Sequence, residues 1–234
     1  MMSRRLLCCG AAALPFAAIA ETAAAQDCAV YTPARQASVS PGDAIGLLKA
    51  GNERFTAGKS INCNLMQQVR ATADGQAPFA AVVGCIDSRV PPELVFDQRI
   101  GDIFVARVAG NFVNTDIIGS LEFATRLSGA KAIVVLGHTE CGAIKGAVDN
   151  AKLGNLTKML ENFRPAVAAA KGIEGERSSK NKKLVQAVAD ANARLAAKML
   201  LDRSPVLREL VQKKELVIAS AMHDVATGTV TFFG

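Results

Sequence analysis

The sequence predicts an α/β fold around a mostly parallel sheet, and three observations carry that expectation. Four short apolar runs rich in β-branched residues, Phe79 to Gly84, Ile103 to Val108, Ala132 to Leu136 and Leu216 to Ala221, read as strands buried on both faces. Helical periodicity occupies the stretches between them, and strands alternating with helices pair in parallel. The ending Gly228-Thr229-Val230-Thr231-Phe232-Phe233 follows a turn and reads as an antiparallel edge strand. Of the 234 residues, 50% are hydrophobic, 21% charged and 5% aromatic, which fits one globular domain and excludes a disordered, collagen-like or disulfide-knot chain. The formal charge of +6 is spread along the chain, with no basic arm or helix stripe, so no nucleic-acid partner is implied.

The elements follow in order. Met1 to Arg5, the apolar run Leu6 to Ala20 and the small residues ending at Ala25 have the layout of a cleavable export signal, which leaves residues 26–234 as a single domain. The run is shorter than the roughly 20 residues a spanning helix needs, so no membrane anchor is expected and the location expected is periplasmic. Ser3-Arg4-Arg5 followed by Leu7 is similar to a twin-arginine signal, the route for proteins that fold and load metal before export; the general secretory route is the alternative. Ser40-Pro41-Gly42-Asp43 supplies a cap, a first-turn proline and an early acid for a helix over Ala44 to Phe55, stopped near Gly58. Further helices are expected over Asp116 to Leu127 behind a Thr115 cap, over Leu184 to Leu201, and from Ser204-Pro205 onward. The charged run Lys171 to Lys183 reads as a solvated loop and helix start.

Cys8 and Cys9 lie in the expected signal, which leaves Cys28, Cys63, Cys85 and Cys141 and three ways of pairing them. Cys85 and Cys141 each follow a strand-like run and have other metal-binding groups beside them, so a shared metal suits that pair. Cys28 and Cys63 are then left to form one disulfide, worth about 3–4 kcal/mol for a loop of about 35 residues, or to remain two free thiols.

Cys85-Ile86-Asp87-Ser88-Arg89 directly follows the first strand. If the chain stays extended, residues 85, 87 and 89 point to one side, and a thiol, a carboxylate and a guanidinium share a pocket. His138 and Cys141 stand three apart where the third strand runs out, with Cys141 near the start of the next helix, where the dipole favours thiolate. Open α/β sheets build their sites at strand C-terminal ends. Two such ends meeting would gather two thiolates, an imidazole and a carboxylate, a zinc ligand set with water or Asp87 in the fourth position.

With these motifs, and with Gly51-Asn52-Glu53-Arg54-Phe55, Gly101 to Asn111 and Thr227 to Phe233 in support, the chain resembles the β-class carbonic anhydrases over nearly the whole of its expected mature length. The resemblance implies a β-carbonic anhydrase-like sheet of four strands plus the antiparallel edge strand. It implies reversible hydration of carbon dioxide to bicarbonate and a proton, by hydroxide on one Zn2+ per chain held by Cys85, His138 and Cys141. It also implies that Asp87 orients the attacking group while Arg89 keeps Asp87 ionised. In some relatives that aspartate binds zinc and closes the site, and those resemble one another in a bicarbonate pocket containing tryptophan. This chain has no tryptophan, so the open form is expected.

Gln76, Phe104, Ala109 and Gly142 match substrate-contacting positions of the family, Gln76 often across a subunit boundary, which implies a homodimer or a dimer of dimers. His223 is expected to be structural, or else a proton shuttle. Two other readings keep the motifs: a hydrolase of carbon disulfide or carbonyl sulfide, and a non-catalytic zinc-binding module.

Overall fold

The structure is a computed structural model describing residues 28–234; the expected export signal, with Arg4, Arg5, Cys8 and Cys9, lies outside the described residues. Within them, five strands form one sheet in the order β2-β1-β3-β4-β5, with β1 at Ala80–Gly84, β2 at Ile103–Arg107, β3 at Ala132–His138, β4 at Val217–His223 and β5 at Val230–Phe232. The pairs β1/β2, β1/β3 and β3/β4 are parallel, and β5 closes the far edge antiparallel to β4. The expected four-plus-one sheet is therefore present.

Burial on both faces explains the continuous apolar runs. Ala80, Val82, Val134 and Leu136 pack on one side, with the helix α2 (Pro41–Thr56) and the segment around Tyr31. Ala81, Val83, Ile133 and Val135 pack on the other, under α5 (Thr115–Glu122), α9 (Lys182–Arg203) and α10 (Pro205–Gln212). Adjacent residues alternate between two cores, so neither set can be polar. A third apolar cluster reaches from Cys85 and Cys141 to α9 through Ile144, Leu160 and Phe163, and it includes α6 (Gly142–Val148), α7 (Gly154–Leu160) and α8 (Arg164–Ala169). Short helices α1 (Pro33–Ala37), α3 (Leu65–Ala71) and α4 (Pro92–Val95) complete the set.

The expected cap of α2 is present as a capping box: Ser40 Oγ accepts from Asp43 N–H, and the Asp43 carboxylate accepts from Ser40 N–H. On the same helix, the Gly51 to Phe55 stretch proves to be a brace. A side chain at Gly51 would put a Cβ 1.8 Å from the Phe96 carbonyl oxygen, so only glycine lets helix and loop approach. Asn52 donates to the carbonyls of Val95 and Gly228 and accepts from Val230 N–H, tying α2 to α4 and to the β4–β5 turn. Arg54 pairs with Asp97 at 2.5 Å.

Three expectations are corrected in detail. The helix after Asn111 is capped by Asn114, whose extended backbone lets its side chain accept from Ile117 N–H at 3.0 Å, while Thr115 is already helical. That helix keeps α geometry only to Glu122 and continues as a π-helical turn over Phe123–Leu127. Strands β3 and β4 run on to His138 and His223, because their ladder continues through Gly137↔Met222 and His138↔His223. Cys28 and Cys63 are joined as a disulfide. No described helix is long and apolar enough to cross a membrane.

Candidate metal centre

The C-terminal ends of β1 and β3 lie side by side because Val83 and Val135 are register partners. Cys85 follows β1 directly. His138 is the last residue of β3, and a two-residue turn with Glu140 at φ +58 returns the chain to Cys141, the N-cap of α6. Cys85, His138 and Cys141 each offer a ligand atom, and these atoms all lie within 4.8 Å of one another. All three residues are buried.

The loop after β1 does not stay extended, as the alternation of 85, 87 and 89 would require. It turns at Asp87, whose carbonyl accepts from Val90 N–H at 3.0 Å. The turn achieves the same grouping by another route. Asp87 Oδ1 accepts from the backbone N–H and Nε of Arg89, and Oδ2 accepts from Nη2 at 2.7 Å. This bidentate pair holds the Asp87 carboxyl well below the usual carboxylate range, the Arg89 hydrogen bond being the largest cause. Oδ2 also lies 3.9 Å from His138 Nε2, so the carboxylate stands beside the donor cluster while engaged by arginine. Arg107 clamps the loop from β2, donating to the carbonyls of Cys85 and Asp87 at 2.8 and 2.7 Å.

The hydrogen bonds around the cluster suit a metal. His138 Nδ1 sits 2.9 Å from the Thr139 carbonyl oxygen, which can only accept, so Nδ1 carries the proton and Nε2 presents its lone pair. Nε2 is buried and has no hydrogen-bond partner among the described residues. Cys85 Sγ accepts from Gly110 N–H at 3.2 Å. With the Cys141 thiol as the largest cause, such bonds pull the Cys85 thiol down, while Cys141, facing that sulfur and buried, is pushed up. A divalent ion bound by both sulfurs displaces the protons they carry. Two thiolates and a neutral imidazole form a borderline-soft N/S donor set that fits zinc.

Other expected site residues are dispersed in the single chain. Gly142 is the first residue of α6, next to Cys141, and a Cβ there would meet no protein atom within 4 Å. Ala109 is half-buried beside Gly110. Phe104 lines a depression with Ala106, Ser120 and Phe123 on the β2 side of the sheet. Gln76 is exposed in a surface cleft with Thr72 and Gly101, so neither of these two clefts includes a residue of the donor cluster. His223 is 3% exposed, beside His138 in register, and both its ring nitrogens lack partners among the described residues; burial lowers its pKa.

Gly110, Arg107 and Thr139 are contributors that motif reading did not single out. The stretch Gly101 to Asn111 contained the first two, and the need for glycine shows only in the structure, where Gly110 has φ +77 and a Cβ there would lie 2.5 Å from the Phe163 ring.

Comparison with known proteins agrees with this geometry. A family model described as carbonic anhydrase matches residues 80–230. Carbonic anhydrase 2 of Mycobacterium tuberculosis is 41% identical over 126 residues, 51% of this chain, and the matched part spans 61% of that relative's length. The carbonic anhydrase of Candida albicans is 31% identical over 158 residues, covering 66% of this chain and 56% of the relative. Among solved structures, the β-carbonic anhydrase CafA of Aspergillus fumigatus superposes with a TM-score of 0.63 at 27% identity, covering 79% of this chain and 88% of its own. A β-carbonic anhydrase of Sordaria macrospora, described as tetrameric, gives 0.63 at 26% identity, covering 82% and 98%. With the match running from β1 into β5 and the sheet shared with these structures, this chain belongs to the β-carbonic anhydrase family.

Proposed function

We propose that the chain catalyses the reversible hydration of carbon dioxide to bicarbonate and a proton, with one zinc ion held by Cys85, His138 and Cys141. The observation that carries the reading is the Asp87–Arg89 pair set against that donor cluster, because a purely structural zinc site needs neither group. Zinc, when bound, supplies Lewis acidity that lowers the pKa of a water, to roughly 7 where the ligands are neutral histidines and less far where two thiolates offset its charge.

The protein's own groups do the rest. Asp87, with Oδ1 and Oδ2 both engaged by Arg89, stays ionised and can accept one further hydrogen bond, which orients a nucleophile's lone pair toward the carbon. The same engagement supports the open form, because Arg89 holds the carboxylate that would otherwise turn to the metal. Gly110 N–H stabilises sulfur charge at Cys85, and the Thr139 carbonyl fixes the His138 tautomer. The bare Gly142 backbone leaves room for a small linear substrate beside Cys141.

The protein is further proposed to act in the periplasm, on the strength of residues 1–25, and as a dimer or dimer of dimers. The sheet supports assembly: β2 is an outermost strand, and Phe123, whose ring lies 6.2 Å from that of Phe104 on β2, is 48% exposed. Gln76, away from the cluster in its own chain, would then serve a partner's site.

Stopped-flow hydration across about pH 6 to 9, on zinc-quantified protein with carbon disulfide in parallel, tests the reading. Hydration rising with pH at one zinc per chain is the expected result. Zinc-loaded protein inactive on carbon dioxide throughout overturns it, in favour of the carbon disulfide substrate or of binding alone.

A further inference from the structure

The described chain holds its cysteines in two chemical states. Cys28 and Cys63 are oxidised to a disulfide, whereas Cys85 and Cys141 are free thiols with sulfurs within 4.8 Å of each other. A chain that closes Cys28–Cys63 meets a disulfide-forming oxidant while it carries all four thiols, and that oxidant does not distinguish a structural pair from a ligand pair. Cys85 and Cys141 are the better prepared pair in the folded chain. Their sulfurs are already neighbours, within 4.8 Å of each other.

We infer that Cys85 and Cys141 are a site of covalent modification in the metal-free chain: a small disulfide oxidant links them into a second intramolecular disulfide, and a metal bound by them blocks that reaction. The inference rests on the reading that this cluster holds a metal. Cys85 gives up its proton and attacks one sulfur of the oxidant, expelling the other as a thiolate and leaving a mixed disulfide on Cys85. Cys141 then gives up its proton and attacks the Cys85 sulfur, expelling the second half of the oxidant. Two protein S–H bonds become one S–S bond, and the oxidant is reduced to two thiols that take up the two protons.

Cys85 is the entry point because it is followed by Ile86, 60% exposed, on a surface turn, whereas Cys141 is 1% exposed at the foot of α6. Both sulfurs are buried, so exchange is confined to chains still folding or to openings of the 85–89 turn. A metal shared by the two sulfurs occupies the lone pairs that both steps need. Maturation therefore has an order, metal first and oxidant second.

The experiment compares zinc-loaded and chelator-stripped protein, each incubated with oxidised glutathione, unfolded, alkylated and mapped by mass spectrometry without reduction. The stripped sample is expected to lose both alkylatable thiols, to show the Cys85 and Cys141 peptides joined, and to take up almost no zinc until reductant is added. The loaded sample is expected to keep both thiols. Two free thiols in the oxidised stripped sample, glutathione retained on Cys85 without a link to Cys141, or equal linking in the loaded sample would each overturn the inference. Zinc titration of the reduced stripped protein is read separately: failure to bind there rejects the metal reading itself. A Cys28→Ser/Cys63→Ser variant repeats the count with the ligand pair as the only described thiols, so exchange with the structural disulfide cannot mimic the result.

Discussion

Asp87 carries the sharpest consequence at the scale of single residues. Replacing it with asparagine leaves Cys85, His138 and Cys141 in place but removes the charge that Arg89 grips, so one zinc per chain should remain while hydration falls about 10–100-fold. Full activity in Asp87→Asn would defeat its orienting role. Cys85→Ser should instead lower zinc content, measured by metal analysis of the purified protein. Asp102 gives a pH-dependent case away from the centre. Its carboxylate is 0% exposed, accepts from Arg99 N–H and Nε at 3.0 Å, and has no partner for Oδ1 among the described residues. Burial raises its pKa despite Arg99. A raised folded-state pKa means stability that is complete below the unfolded value near 3.9 and is lost as pH rises through the folded value. Asp102→Asn, which cannot ionise, should therefore gain on the parent as pH rises above about 4, by urea unfolding; a difference that shrinks with rising pH would reject this account. The ligands and the Asp87–Arg89 pair were legible in sequence because they sit in short motifs at strand ends. Gly110 and Arg107 were not, because their partners lie 25 and 22 residues away in sequence, and only the β1/β2 register brings them to Cys85.

Between residue and fold stands α2, where Gly51 and Asn52 act together. The central strands were legible because residues of two cores alternate along β1 and β3, and the cap of α2 because its four residues are contiguous. The brace was not legible: Asn52 reads as one more polar helix residue, and its partners at Val95, Gly228 and Val230 are 43, 176 and 178 residues away. Asn52→Ala would leave three backbone groups without this partner, two of them against the sheet edge that β5 closes. A loss of about 3 kcal/mol or more is expected from denaturant unfolding. Gly51→Ala should be at least as damaging, since a Cβ placed 1.8 Å from a backbone oxygen forces helix and loop apart. If either variant unfolds at the parent midpoint, α2 is a cover for the sheet and not a tie. The π-helical turn at Phe123–Leu127 escaped prediction for a related reason, since its apolar spacing is compatible with a continuing α-helix.

For the molecule as a whole, the first described residue of the chain is fastened to the loop between α2 and α3 by one covalent bond. Cys28–Cys63 closes a loop of sequence separation 35 that contains α1 and all of α2, so it restrains the unfolded chain across the brace. Its native surroundings are modest: the Cys28 carbonyl accepts from Gln68 Nε2 at 3.4 Å, and Gln68 Oε1 accepts from Ile100 N–H at the same distance. Most of its contribution should therefore come from the unfolded state. The chain-entropy relation gives about 3–4 kcal/mol for a loop of this size. Cys28→Ser, Cys63→Ser and the double variant should all lose that amount, and the double variant should lose no more than either single one, because each removes the same bond. Zinc content should stay at one per chain, since the donor cluster lies at the opposite end of β1 from the strand start that Tyr31 packs against through Phe79. Unfolding in urea, with zinc saturating and reductant present or absent, separates the two possible origins. Parent protein in reductant should match the double variant. A double variant that unfolds with the oxidised parent would mean that the native contacts of the N-terminal segment, and not its cross-link, hold this end of the molecule.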